Sequence, residues 1–319
     1  MYHATQQAFG PYDKHLIYSE VSRHSIEVVP GYGAVLMSCV LDGRETILSY
    51  DSPADLTADR WARGRILFPF PNRLAGGTYE WQGETYRFPL NDTPRRNALH
   101  GLGGGQEFTV TDQQLRETSA HLTLAYDYAG DRAYYPWPFR IEVTYALDDT
   151  AGLTVTLTAR NTGAAAIPFG LGYHPYLSLG PKADDYHLAL PPLEMIGVDD
   201  AMIPTGRRYA HDRYAGAGRK VGSDVLDNGF VPAAASGGEI ALRLQGERGR
   251  LHYRQQLPPY GYLQLFTPPD RNALAVEPMT CNIDAFNNGD GLASLEPGEE
   301  LRGEFGWRLE GEGPVGRDV

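Results

Sequence analysis

Two ionisable residues interrupt segments that are otherwise apolar. His174 lies in Phe169–Leu177, which we interpret as a half-buried strand that enters a turn, and Glu277 directly follows the apolar run Ala273–Val276. An imidazole exchanges protons near neutral pH, and a carboxyl group enclosed by apolar walls gains a raised pKa that suits a general base. These residue types therefore suit acid–base catalysis. Taken alone, each also fits a plainer role, a hydrogen-bonded structural histidine and a surface carboxylate at a strand end.

Two polar segments could supply ligand-binding groups beside such a pair. Arg73 lies in Asn72-Arg73-Leu74-Ala75-Gly76-Gly77, and His100 lies in Asn97-Ala98-Leu99-His100-Gly101. A guanidinium is a fixed fork of several donors, and an imidazole can donate or accept. Each residue is ambiguous in isolation, because either type also serves purely structural hydrogen bonds.

Common cofactor and metal motifs are absent from the sequence. It has no GxxxxGK[ST], HExxH or GxSxG pattern, and its nine histidines are scattered without metal-ligand spacing. The only cysteines are Cys39 and Cys281, too few for a disulfide framework. We therefore expect chemistry that needs neither a cofactor nor a metal.

The elements that must position these residues read as β-strands. Ile141, Val143, Tyr145 and Leu147 alternate with polar residues, and a matching run over 153–159 follows a turn at Asp148-Asp149. Tyr79, Trp81, Tyr86 and Phe88 predict a second hairpin around Gln82-Gly83. No long amphipathic helix is predicted.

This pattern predicts an all-β protein built as a large antiparallel β-sandwich. At 319 residues and with no composition break that marks a linker, we expect residues 1–319 to form a single domain. The 20 tyrosines, 37 glycines and 23 prolines agree with strands joined by turns.

Charge and composition limit the classes of molecule that we expect this protein to bind. A net charge of −12 repels phosphate backbones and anionic lipid surfaces, so neither nucleic acid nor membrane is expected as a partner. The N-terminus carries no signal-peptide pattern, and two cysteines suit a reducing compartment, which predicts a cytoplasmic protein. We expect a monomer or a homodimer that acts on a small molecule.

Taken together, the polar segments from about Gly64 to Asn287 resemble the aldose 1-epimerase, or galactose mutarotase, family in their order along the chain. Asn72–Gly77 resembles the family's Asn-Arg-Ile-Ala-Gly, and Asn97–Gly101 resembles its Asn-Xaa-Leu-His-Gly. Tyr173–Leu177 resembles Asn-His-Xaa-Tyr-Phe, and Leu226–Phe230 resembles Asp-His-Xaa-Phe. Leu263–Glu277 resembles the strand pair that leads to the family's base glutamate.

The resemblance implies a galactose mutarotase-like supersandwich and a cofactor-free isomerase that acts on a sugar. Glu277 would take the proton of the anomeric hydroxyl while His174 protonates the ring oxygen, and the opened sugar would reclose as the other anomer. Arg73, His100 and Asp227 would bind ring hydroxyls. For this chemistry we expect the acid and the base on opposite sides of the bound ring.

Departures from the family pattern leave the substrate open. Tyr173 replaces the usual asparagine, and Pro175 and Pro71 are also atypical. One alternative is a hexose-6-phosphate 1-epimerase that binds phosphate through arginines 63, 65, 95 and 96. Another is a sugar-binding protein without turnover. The aromatic loop Tyr134–Phe139 fits a sugar-stacking platform and a core plug equally well.

Overall fold

β-strands make up most of the computed structural model, which describes residues 1–58, 61–102, 104–233 and 237–310. In chain order the strands are β1 (His3–Phe9), β2 (Tyr12–Ser19), β3 (His24–Val29), β4 (Val35–Leu41), β5 (Arg44–Glu45), β6 (Ile66–Leu67), β7 (Arg73–Leu74), β8 (Thr78–Trp81), β9 (Glu84–Arg87), β10 (Ala98–Leu99), β11 (Thr109–Leu115), β12 (Ser119–Tyr128), β13 (Phe139–Asp148), β14 (Gly152–Asn161), β15 (Ile167–Phe169), β16 (Gly172–Tyr173), β17 (Tyr176–Leu177), β18 (His187–Ala189), β19 (Leu193–Val198), β20 (Pro204–His211), β21 (Arg219–Lys220), β22 (Asp227–Pro232), β23 (Glu239–Gly246), β24 (Gly249–Gln256), β25 (Tyr262–Phe266), β26 (Leu274–Met279), β27 (Ala293–Leu295) and β28 (Glu300–Leu309).

Helices are few and short in the described part of the chain. They are α1 (Pro53–Thr57), α2 (Ala285–Asn288) and two 3₁₀ turns, Ala75–Gly77 and Ala183–Asp185. The expectation of no long helix holds for these residues. None of the described helices has the length and apolar character needed to cross a membrane.

Three larger sheets and three two-stranded ones organise the strands. The nine-stranded sheet runs β11-β12-β13-β14-β28-β24-β23-β18-β21, and the eight-stranded sheet runs β20-β19-β22-β25-β26-β16-β6 with β17 also paired to β26. A five-stranded meander runs β1 to β5. The strand ladders of the two large sheets are antiparallel, for example β13 with β14 and β25 with β26. The predicted all-β antiparallel sandwich is confirmed.

Both predicted hairpins are present. Ile141 pairs with Ala159 and Leu147 with Leu153 in the β13–β14 ladder. In the β8–β9 hairpin, Gln82 and Gly83 occupy the turn with φ of 53° and 85°, the left-handed backbone that a tight two-residue connection requires. The alternation of apolar residues therefore predicted both hairpins, although Asp148 pairs with Gly152 and the first turn spans residues 149–151 rather than Asp148-Asp149.

The main core lies between the nine-stranded and the eight-stranded sheets. Strand β13 alternates strictly between buried and half-buried residues, so one of its faces is fully covered. Tyr145 of that strand reaches across to Tyr173 of β16 with 3.3 Å between the two hydroxyl oxygens. Phe305 of β28 packs against the Tyr173 ring with 5.1 Å between centroids.

Strands β25 and β26 are covered on both faces, and this places the candidate site. In β26, Leu274 and Val276 belong to the main core, whereas Ala275 packs with Tyr176 on the opposite face. Because side chains alternate along a strand, Glu277 shares the face of Ala275, away from the main core.

The expectation that Glu277 ends its strand is wrong. Glu277 pairs with Gln264, and the ladder continues through Pro278 opposite Leu263 to Met279 opposite Tyr262. A proline removes only its own N–H donor, so the pairing on either side of Pro278 keeps the strand intact. His174 likewise is buried rather than half-buried, with 5% of its surface exposed.

Candidate active site

A cleft of about 430 Å³ opens on the outer face of the eight-stranded sheet. All five residues singled out from the sequence line it: Arg73, His100, His174, Asp227 and Glu277. They come from separate parts of the chain, and antiparallel pairing brings them together. Glu277 lies in β26, Asp227 begins β22, and both strands flank β25.

The two-stranded sheet of β7 and β10 joins the two polar segments. Leu99 pairs with Arg73 and Ala98 with Leu74, so His100 follows directly beside the arginine. His174 arrives from the connection between β16 and β17, where its backbone N–H donates to the carbonyl of Arg65 at 3.0 Å. These two-residue strands therefore position Arg73, His100 and His174.

His174 and Glu277 are direct neighbours. The distance from His174 Nε2 to Glu277 Oε1 is 3.4 Å. A sugar ring cannot lie between two atoms this close, so the expectation of an acid and a base on opposite sides of the ring is wrong. The geometry is compatible with ring opening for a simple reason: the anomeric hydroxyl and the ring oxygen are bonded to the same carbon, so groups that lie side by side reach both.

Burial governs the protonation of this pair. Only 5% of His174 and 2% of Glu277 is exposed. Burial lowers the pKa of His174 to about 3, and the nearby Arg65 guanidinium lowers it as well. Burial also raises the pKa of Glu277 well above its ordinary value, helped by Asp227 and opposed by Arg73. Both shifts favour a neutral pair with one shared proton.

His100 is held in one tautomer by its neighbour Asn72. The backbone N–H of Asn72 donates to Nδ1 of His100 at 3.2 Å, and the backbone N–H of His100 donates to the Asn72 carbonyl at 2.8 Å. Because Nδ1 accepts, the proton of the neutral ring lies on Nε2. Burial and the positive neighbours lower the pKa of His100 well below its ordinary value. His100 is therefore a neutral hydrogen-bond donor.

Arg73 is fixed by a buried ion pair. Its Nε donates to Oδ2 of Asp92 at 2.9 Å, and its Nη1 donates to the side-chain oxygen of Asn72 at 3.3 Å. Only 8% of Arg73 and 8% of Asp92 is exposed. Among the described residues Nη2 has no protein partner, so it is the donor left for a ligand.

Asp227 and Gln264 form a second polar pair beside Glu277. Gln264 Nε2 donates to Oδ1 of Asp227 at 2.9 Å, and burial raises the pKa of Asp227. Three buried polar atoms around the cleft lack a protein partner among the described residues: Nδ1 of His174, Oε1 of Gln264 and Oε2 of Glu277. Buried polar atoms are normally hydrogen-bonded, so unpaired ones at a cleft mark groups available to a ligand.

Aromatic rings line the same cleft, although not the ones in the predicted loop. Tyr176 stacks on the His174 imidazole with 4.8 Å between centroids, and Trp61 stacks on Phe266 at 5.9 Å. The loop Tyr134–Phe139 is the core plug: Tyr135 is fully buried and donates from its hydroxyl to the carbonyl of Pro168 at 2.8 Å. No residue of that loop lines the cleft.

The four arginines considered for phosphate binding are dispersed. Arg95 lines the cleft, with 3.6 Å between its Nη1 and Oδ1 of Asp92. Arg63 lies over the Tyr50 ring and donates to the Ser49 carbonyl, and Arg65 lies over the Tyr32 ring. Arg63, Arg65 and Arg96 do not line the cleft.

Sequence reasoning missed several residues of the cleft. Asp92, Gln264 and Trp61 each line it. No local pattern distinguishes Asp92 or Trp61 from ordinary loop residues. For Gln264 a signal existed, since a polar residue inside the apolar run Tyr262–Phe266 is unusual in a covered strand. Cys281 is buried and does not line the cleft. Within the described residues, no three His, Cys, Asp or Glu side chains are grouped so that they could hold a metal ion.

Comparisons with known proteins agree with one another. The family model described as aldose 1-epimerase matches residues 23–307. The uncharacterised protein YihR of Escherichia coli (strain K12) is 31% identical over 244 residues, which cover 75% of this chain and 76% of that protein. Galactose mutarotase of Homo sapiens is 28% identical over 148 residues, 45% of this chain and 41% of that enzyme.

Solved structures share the fold. A galactose mutarotase-like protein from Clostridium acetobutylicum superposes with a TM-score of 0.87 at 19% identity and covers 97% of this chain and 99% of its own. Galactose 1-epimerase from Lactobacillus acidophilus NCFM gives a TM-score of 0.80 at 19% identity, with 97% and 98% covered. At these identities the likeness concerns the fold.

Proposed function

The chain belongs to the aldose 1-epimerase family, and on that premise we propose that it interconverts the α- and β-anomers of a hexose by acid–base ring opening and reclosure. The observation that carries the proposal is the His174–Glu277 pair, 3.4 Å apart in a cleft that Arg73, His100 and Asp227 also line. The pair supplies the two proton-transfer groups that the reaction needs, within reach of two oxygens on one carbon.

In the proposed opening step, Glu277 as carboxylate takes the proton of the anomeric hydroxyl. The electrons of that O–H bond form the aldehyde C=O, the bond from the anomeric carbon to the ring oxygen breaks, and protonated His174 gives its proton to that oxygen. Rotation about the bond between the first two carbons then presents the other aldehyde face. Reclosure reverses the proton transfers and yields the other anomer.

The single shared proton of the pair fits this cycle. Opening leaves a protonated Glu277 and a neutral His174, the state that burial of both side chains favours. The pair therefore stabilises the state in which the reactive aldehyde exists. The 3.4 Å contact also lets the neutral pair pass its proton from Glu277 to His174 before the ring opens.

The remaining groups would hold the ring hydroxyls. Arg73 offers Nη2 and His100 offers its Nε2–H as donors, whereas Asp227 and the unpaired Oε1 of Gln264 offer acceptors. Tyr176 and Phe266 supply rings on which the apolar C–H face of a sugar packs. Donors and acceptors around an aromatic wall are the chemistry of a sugar site.

Polarimetry tests the proposal. Glu277→Gln and His174→Asn should each slow the protein-dependent decay of a freshly dissolved α-anomer by about 100-fold or more, because each removes one proton-transfer group. Glu300→Gln and His187→Asn are matched controls at exposed positions and should keep the wild-type rate. Wild-type rates in either cleft variant would contradict the assignment.

The same assay separates the alternatives. A hexose-6-phosphate 1-epimerase would accelerate glucose 6-phosphate but not glucose, and Arg95→Ser would abolish that preference, since Arg95 alone of the four arginines lines the cleft. A sugar-binding protein without turnover would bind sugars and accelerate none. Acceleration of neutral hexoses, lost in Glu277→Gln, excludes both.

Location in the cytoplasm is part of the proposal. Cys39 and Cys281 are buried free thiols, which suits a reducing compartment. Fractionation of the source cells followed by immunodetection would check this.

A further inference from the structure

A second cavity, larger than the cleft, is remote from the catalytic pair. It is a groove of about 750 Å³ on the outer face of the nine-stranded sheet. Its floor is formed by β23, β24 and β28, and the β13–β14 turn at Thr150 and Ala151 rises at one end. None of its lining residues belongs to the cleft described above.

Basic side chains occupy neighbouring positions across this floor. In the sheet register Arg243 lies opposite His252, and His252 lies opposite Arg308, so three basic residues form one row on adjacent strands. Arg254, two residues from His252, projects from the same face, next to this row. The two guanidinium groups on either side of His252 therefore concentrate positive charge on one face of the sheet.

The protein itself compensates this row only in part. His252 contacts Oε1 of Glu310 at 2.5 Å, and Glu310 is shared with Arg250. Arg243 donates to the Gly216 carbonyl at 3.3 Å and Arg254 to the Thr154 hydroxyl at 3.5 Å, both uncharged acceptors. Arg308 is exposed, and its guanidinium has no hydrogen bond or ion pair with any described residue. These three guanidinium groups therefore have free donors.

Among the residues that line the groove, arginines outnumber carboxylates by three to one. Glu239 is the carboxylate among the lining residues, and Asp42 and Asp149 line an adjoining hollow beyond Arg308. The excess of arginine over carboxylate in the groove contrasts with a net charge of −12 for the chain. Local positive charge on an acidic protein is selective for small anions, because the surrounding field repels extended polyanions.

An apolar wall stands at the other end of the groove. Ala189, Leu190, Pro191 and Pro192 line it, and Ala189 pairs with Arg243 of β23. Arg308 lies on the second strand beyond β23, which places it about 10 Å from Arg243 at the usual strand spacing. One end of the groove thus offers apolar contacts, and the other offers arginine forks suited to phosphate oxygens.

We propose that this groove is a second ligand site, which binds a small molecule carrying a di- or triphosphate group, with the phosphates on Arg254 and Arg308 and a less polar portion against Pro191 and Pro192. The site is separate from the proposed epimerase reaction and stands or falls independently of it.

Isothermal titration calorimetry of the full chain at low ionic strength tests the site with two probes, ATP and inorganic tripolyphosphate. Both should bind, and binding should weaken as salt is added, because exposed charge pairs are screened. Tighter binding of ATP than of tripolyphosphate supports the apolar wall as part of the site. Equal binding overturns that part and restricts the ligand to the phosphate chain itself.

Variants locate the site. Arg308→Ser and Arg254→Ser should each weaken ATP binding by about tenfold, as expected for the loss of a hydrogen bond to a charged group. Glu239→Gln should strengthen it, because a nearby negative charge is removed. Arg207→Ser is the matched control, an exposed arginine on β20 outside the groove.

Three results would overturn the proposal. These are no binding of either probe at millimolar concentration, an Arg207→Ser effect as large as that of Arg308→Ser, and wild-type affinity in Arg308→Ser and Arg254→Ser. Far-ultraviolet circular dichroism and thermal unfolding are the folding controls for every variant, and none of these residues lies in the catalytic cleft.

Discussion

At the residue scale, the candidate site depends on how burial divides protons between His174 and Glu277. Both side chains are almost fully enclosed, and their Nε2 and Oε1 atoms are 3.4 Å apart. Such a pair titrates as a unit, and the reaction needs the form that holds one proton. Protein-dependent activity should therefore have limits on both the acid and the alkaline side.

The pH profile of kcat/KM should be unusually broad towards acid. Below the lowered pKa of His174, about 3, the pair gains a second proton and loses its base. Above the raised pKa of Glu277 the pair loses its proton and with it the acid. Activity corrected for spontaneous mutarotation should persist well below pH 6.5, the ordinary histidine value. An acid limb centred near that value would show that His174 titrates as an exposed histidine.

Asp92 affects the cleft by holding the Arg73 guanidinium in place. The carboxylate accepts from Arg73 Nε at 2.9 Å and so directs Nη2 to the cleft. Asp92→Asn keeps an acceptor but removes the charge, which weakens the hydrogen bond. We expect KM for the sugar to rise by about tenfold with little change in kcat, because Arg73 binds ring hydroxyls equally in the ground and transition states.

Steady-state polarimetry over a range of sugar concentrations measures this split. Asp200→Asn is the matched control, since Asp200 is an exposed aspartate outside the cleft. If Asp92→Asn and Asp200→Asn gave the same KM, Asp92 would have no positioning role.

At the element scale, short strand pieces do the positioning. The β7–β10 pairing places Arg73 beside Leu99, and the connection between β16 and β17 delivers His174. Gly101 closes this arrangement immediately after His100. Its φ is 59°, and a Cβ there would lie 2.3 Å from the carbonyl oxygen of Phe68.

A comparison of Gly101→Ala with Gly222→Ala separates the cost of backbone strain from the cost of a steric clash in the free energy of unfolding. Both glycines have a φ of 59°, but a Cβ at Gly222 would meet nothing within 4 Å. Gly222→Ala should lower the free energy of unfolding by about 1 kcal/mol, the cost of a left-handed alanine. Gly101→Ala should lose a further 1 to 3 kcal/mol or so from the clash. Urea unfolding curves measure both, and equal losses would mean that the Phe68 carbonyl moves freely.

At the scale of the whole molecule, a continuous core links the sheets. One apolar cluster extends from Tyr2 to Trp307 and includes residues of the five-, eight- and nine-stranded sheets, such as Ile17, Val276 and Val155. Trp307 of the nine-stranded sheet donates from Nε1 to the Thr46 hydroxyl at 3.0 Å. A shared core of this kind couples the sheets in unfolding.

We therefore propose that residues 1–319 unfold as one cooperative domain. Tryptophan fluorescence and far-ultraviolet circular dichroism should give coincident thermal transitions, with a calorimetric enthalpy equal to the van't Hoff enthalpy. Two resolved transitions would divide the chain into separate folding units and contradict the single-domain prediction.

The sequence by itself predicted the fold class, the two hairpins and five of the residues that line the cleft. Alternation of apolar residues reports burial on one face of a strand, so β13, β14, β8 and β9 were predictable locally. The polar motifs identified the site through their resemblance to the family's segments, because each residue taken alone was ambiguous.

Only the tertiary structure decided which groups meet. Asp92 and Arg73 are 19 positions apart and Gln264 and Asp227 are 37 apart, and no local pattern encodes such pairs. The place of Glu277 inside β26, the side-by-side contact with His174 and the dispersal of the arginines follow from strand pairing across the sheet. Burial, and with it the pKa of each group, arises only when distant segments close over the cleft.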